Sequence, residues 1–71
     1  MQTIATIQYK SEAAMMSDVY SLSIDEIAAK MGEKLPSGAY LYANESNQIE
    51  AALVSRDATP IDEVEFIGRV D

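Results

Sequence analysis

Leu22-Ser-Ile-Asp-Glu-Ile-Ala-Ala-Lys-Met-Gly32 is the stretch in which several independent signals agree, and together they predict a helix. Ser23 followed three residues later by Glu26 is a capping box, in which each side chain satisfies a backbone N–H left open at a helix start. Leu22 and Ile27 stand at the positions of a hydrophobic staple. Asp25 and Glu26 lie at the positive end of the helix dipole and Lys30 near its negative end, while Gly32 can take the left-handed conformation that stops a helix. Ile24, Ile27, Ala28 and Met31 recur at helical spacing and form one apolar stripe.

The remaining chain supplies strands. Gln2 to Tyr9 alternates, with Ala5, Ile7 and Tyr9 on one face. Lys10 to Ser21 reads two ways. Ser11 can cap a short helix through Ala13, Ala14, Met15 and Met16, but Val19-Tyr-Ser-Leu22 alternates, and the preferred reading is a strand from about Met16 to Leu22. After the helix, Pro36 and Gly38 mark a turn. Ala39 to Ala43 and Gln48 to Val54 then form a hairpin around Asn44-Glu-Ser-Asn47. Loop parity decides which side chains meet. An even loop sets Tyr42 opposite Ile49 and gives one coherent apolar face, and it is preferred; a three-residue loop turns Tyr40 and Tyr42 outward, as candidates for a binding surface. Arg56-Asp-Ala-Thr-Pro60 is a loop. In the last strand, Glu63 to Val70, the alternation sends Val64, Phe66 and Val70 one way and Glu63, Glu65, Ile67 and Arg69 the other.

These elements predict one α+β domain over residues 1–71: an antiparallel sheet of four or five strands with one central helix packed on one face. The order is ββαβββ, or βααβββ if Lys10 to Ser21 is helical. The expected core is Ile7, Leu22, Ile27, Met31, Tyr42, Ile49, Leu53, Val64 and Phe66. With 71 residues, a single apolar core yields only about 3–5 kcal/mol, so binding or self-association would add stability.

Composition narrows the chemistry. The chain has neither cysteine nor histidine, which removes thiolate and imidazole metal ligands and both common forms of activated nucleophile. Asp25 and Glu26 are explained by their place in a capped first turn. Glu63 and Glu65 lack the loop oxygens of a calcium site, and the three glycines are too dispersed to cradle phosphate. No catalytic, cofactor or metal site is expected, and the chain reads as a non-enzyme. The N-terminal stretch has no basic region followed by an apolar run, and no segment approaches the roughly 18 apolar residues of a membrane span, so a cytoplasmic protein is expected.

Two resemblances bear on function. Ser23 to Gly32 resembles the first helix and turn of a bacterial helix-turn-helix, which implies a DNA-reading regulator. In that family a recognition helix follows, whereas here Pro36, Gly38, Tyr40 and Tyr42 occupy its place. The second resemblance lies in composition alone. A compact chain with twelve acidic and five basic residues, net charge −7, is similar to small phage-encoded inhibitors of host nucleic-acid machines, including anti-CRISPR proteins and DNA mimics. That resemblance implies a non-catalytic module engaging a basic protein or nucleoprotein complex, without direct contact to nucleic acid or membrane, since such a surface repels both. Residues 57 to 71 hold five acidic side chains and one basic one. The expected partner-binding residues are therefore Glu50, Asp62, Glu63 and Glu65, on the outer face of the sheet. An oligomeric structural or assembly subunit is the third reading.

Overall fold

The computed structural model describes residues 2–55 and 57–71. Met1 and Arg56, the latter the first residue of the expected loop, lie outside the described residues. The chain runs β1 (Gln2–Gln8), α1 (Glu12–Ser21), α2 (Ile24–Lys30), β2 (Tyr40–Asn44), β3 (Gln48–Leu53) and β4 (Glu63–Arg69). The four strands form one antiparallel sheet in the order β1-β3-β2-β4. The fold is thus α+β, with four strands and two helices among the described residues; the preferred reading has one helix, and the alternative, with Lys10 to Ser21 helical, has two. Among the described residues no helix is long and apolar enough to cross a membrane.

The segment for which a strand was preferred is α1. Its start is fixed by Ser11, an extended residue whose Oγ accepts from the Ala14 N–H at 3.1 Å. Ala13, Ala14, Met15 and Met16 are good helix formers, and their propensity with a cap outweighs a few β-prone residues. As a helix the segment also sends Met15, Met16 and Val19 into the apolar cluster, with Leu22 just beyond its end. Leu22 is the joint between the helices. Its N–H caps α1 by donating to Asp18 O at 2.9 Å, and the next residue caps α2.

The capping box of α2 is complete: Ser23 Oγ accepts from the Glu26 N–H at 3.1 Å, and Glu26 Oε1 accepts from the Ser23 N–H at 2.9 Å. These bonds hold the Glu26 carboxyl below its ordinary pKa. Gly32 has φ +74°, the left-handed stop anticipated there. A polar clasp joins both helices to the residue after β1. Asp18 Oδ2 accepts from the Tyr9 hydroxyl and from Lys30 Nζ, each at 2.7 Å.

One face of the sheet packs against the helices. Leu41, Ala43, Ile49 and Ala51 share a buried cluster with Met15 and Ile27, and a bulge between Thr3 and Ala5 lets Ile4 join Ala5, Ile7 and Tyr9 beside it. Gly68 provides room for α2 against β4, because a Cβ there would overlap Ile24 Cδ1 and approach Cγ1 to 3.1 Å. Tyr40, Tyr42, Ala52 and Val54 form a separate cluster on the opposite face.

Two corrections follow from register. The hairpin loop, Glu45-Ser46-Asn47, has three residues, with Asn47 at φ 60° and Asn44 Oδ1 accepting from the Ser46 and Gln48 N–H groups. A left-handed residue at that point is the usual closure of an odd hairpin. Tyr42 therefore pairs with Glu50, not Ile49, and Ala43 takes the place opposite Ile49. In β4, shifts between Leu41 and Tyr42 and between Ala43 and Asn44 break the alternation. Ile67 packs with the helix-side core, while Phe66, Val64 and Leu53, all expected inside, are 48 %, 46 % and 42 % exposed.

Ser23→Ala removes the acceptor half of the capping box and should destabilise the protein by about 0.5–2 kcal/mol. Urea denaturation followed by circular dichroism checks this, and an unmoved midpoint would mean the cap contributes nothing. The Glu26 part of the box should weaken as pH falls, because a carboxyl with a depressed folded pKa stabilises above its unfolded pKa and loses that contribution on protonation.

Candidate functional site

The face opposite the helices is built around two tyrosines. Alternation along β2 puts Leu41 and Ala43 under the helices and Tyr40 and Tyr42 on the other side. Their rings are 5.8 Å apart, and Phe66, brought alongside by pairing of β4 with β2, lies 4.7 Å from Tyr40 in a tilted stack. The Arg69 guanidinium sits 5.0 Å from the Tyr40 centroid, a cation over an aromatic face, and Nη1 donates to Gly38 O at 3.0 Å.

Tyr42 is fully buried although it faces away from the helices. The cause is topological. β2 lies between β3 and β4, so the chain leaving β3 must cross β2 before entering β4. Val54 packs against the tyrosines and Asp62 lies near enough for its charge to act on Tyr42, so both ends of the crossing stand on this face.

Each phenol is anchored to a carboxylate. The Tyr42 hydroxyl donates to Glu50 Oε2, and the Tyr40 hydroxyl donates to Glu63 Oε2 at 2.5 Å. Burial pushes the Tyr40 phenol up to about 12, with the Glu63 hydrogen bond and charge adding to it and Arg69 opposing. Tyr42 is also raised, first by burial, then by Glu50 and by the charges of Asp62 and Glu63. Both phenols are therefore neutral donors at neutral pH, and they hold Glu50 and Glu63 in fixed positions.

Three of the four expected partner-binding residues are brought together. Glu50 and Glu63 are tied to the tyrosines, and Asp62 stands close enough for its charge to act on Tyr42. Glu65 is separated from them. It pairs with Ala43, a helix-side position, while Glu63 pairs with Asn44 across the bulge, so Glu63 and Glu65 do not share a face as strict alternation required. Phe66, half exposed and stacked on Tyr40, completes the surface. The odd loop is the sequence signal for the tyrosines, and Asn47 marks it; for Phe66 there is none.

Among the described residues no pocket opens, and no three His, Cys, Asp or Glu side chains are grouped to hold a metal ion. The arrangement is a surface that presents fixed negative charge beside aromatic and aliphatic groups. No protein-family model matches the chain, no curated protein matches it, and no solved structure matches it.

The raised phenols make stability fall at high pH. A group whose folded pKa exceeds its unfolded value stabilises fully below the unfolded pKa and loses that contribution as pH rises through the folded one. For Tyr40 that window runs from the ordinary 10.0 to about 12. The denaturation midpoint should fall across it, and the Tyr40→Phe, Tyr42→Phe double variant should fall less steeply. Parallel slopes would show that the phenols are not protected.

Proposed function

We propose that this chain is a non-catalytic binding module whose tyrosine and carboxylate face engages a basic protein, of the kind that handles nucleic acid. The observation that carries the reading is the grouping of Glu50, Asp62 and Glu63 around Tyr40 and Tyr42, next to half-exposed Phe66. Carboxylates held in place by buried phenols present charge without the entropy of freely rotating side chains. Aromatic residues at the centre of a patch supply the apolar contact that protein interfaces concentrate there. The net charge of −7 favours a cationic partner and speeds encounter with it. In this role the module blocks or occupies a cationic surface, as an inhibitor does.

A tagged chain used to capture proteins from its native host tests the reading. The expected partner is basic and is released as salt rises, since exposed charge pairs are screened over about 8–10 Å at physiological ionic strength. The Asp62→Lys, Phe66→Ser variant, checked for unchanged circular dichroism, should lose most of that capture. Equal capture by the variant would overturn the assignment of the surface. Recovery of DNA in place of a basic protein would favour the helix-turn-helix reading instead.

A further inference from the structure

The two edges of the sheet differ in how they are defended. β4, at one edge, carries Glu63, Glu65 and Arg69, a glycine and two register shifts, all features that discourage another strand from adding there. β1, at the other edge, has none of the charges. From Gln2 to Tyr9 there is no charged residue, no proline and no glycine, in a chain whose residues are 24% charged. Its single bulge lies between Thr3 and Ala5, leaving the run from Ala5 to Tyr9 regular.

We infer that β1 is a homodimer edge, pairing antiparallel with β1 of a second copy to give a continuous eight-stranded sheet. Size and symmetry select the occupant: a 71-residue chain gains stability from self-association, and β1 can pair antiparallel with its own copy about a twofold axis. Net charge −7 opposes association, and the uncharged edge is where two copies add the least repulsion. Backbone geometry selects the register. The Tyr9 N–H donates to Asn47 O at 2.9 Å, so in the alternating antiparallel ladder the N–H and C=O groups of Tyr9, Ile7 and Ala5 point to β3. Those of Thr6 and Gln8 point outward. Two copies related by a twofold axis at Ile7 pair Thr6 of one with Gln8 of the other, twice over, and every outward group of this run gains a partner. The axis sets Ile7 against Ile7 on the helix-covered side, extending the apolar cluster it already borders.

Sedimentation velocity on the full chain, with amide exchange followed by nuclear magnetic resonance, tests the inference. The expected result is a species of twice the chain mass, with the Thr6 and Gln8 amides protected in step with dimer concentration. The Thr6→Lys, Gln8→Lys variant places like charges across the axis, and it should sediment as a single chain with an unchanged circular dichroism spectrum. Thr6→Pro, which removes an N–H that β3 does not use, should do the same if the lysine variant folds poorly. A wild-type chain that stays single over the accessible concentration range would overturn the proposal, as would a dimer that persists in both variants. So would Thr6 and Gln8 amides that exchange freely in a dimer. Thr6 pairs with Glu50, so the lysine variant alters the edge of the tyrosine face, but sedimentation and amide exchange read self-association and not capture of a basic partner, so either assignment can fail alone.

Discussion

Strand β2 has no free side, and the rest of the molecule is arranged to satisfy it. All five of its residues are buried, including Asn44. It is hydrogen bonded to β3 and β4 along its two edges, faced by the helices through Leu41 and Ala43, and faced by the crossing segment through Tyr40 and Tyr42. Burying tyrosine there demands acceptors for two hydroxyls, because an unpaired buried hydroxyl costs more than its hydrogen bond returns. Glu50 and Glu63 are those acceptors. The charged face is in this sense a by-product of packing: carboxylates needed to satisfy buried phenols are also the ones displayed beside Phe66.

How much was legible in the sequence follows from how local each signal is. The capping box and the glycine stop of α2 depend on neighbours within one turn, and they are readable. The strands of the hairpin and the last strand could be placed within a residue of their observed ends for the same reason. α1 is the ambiguous case: its cap and its four alanine and methionine residues compete with a short alternating run, and the cap with helix propensity prevails. The sides of β4 were inverted for a different reason. A period of two tells which residues share a face but not which face meets the helices, and two bulges then shift the phase midway. Separation of Glu65 from Glu63 is a direct result, and nothing in Glu63-Val-Glu-Phe-Ile67 announces a bulge.

Tyr40 and Tyr42 illustrate a further limit. The parity of one loop, two to four residues against three, decides whether they join the helix-side core or the other face, and Asn47 in the left-handed region closes the odd loop. Burial of Tyr42 on the outward side was not legible at all, because it depends on strand order. Because β3 and β4 flank β2, the intervening chain crosses β2, and with the helices on one face it crosses on the other, over the tyrosines.

That strand order also sets the route by which the sheet assembles. Only β2 and β3 meet across a short loop; β1 reaches β3 across both helices, and β4 reaches β2 across the crossing segment. Closing long loops before any contact rewards them is entropically uphill, so the hairpin is the natural first structure and the two outer strands arrive later from opposite sides. The hairpin in isolation carries apolar residues on both faces, Leu41 and Ile49 on one and the tyrosines on the other, and is exposed until it is covered twice. With only one cover in place the hairpin would expose a whole apolar face, and like charge between copies of net charge −7 works against their association at that point.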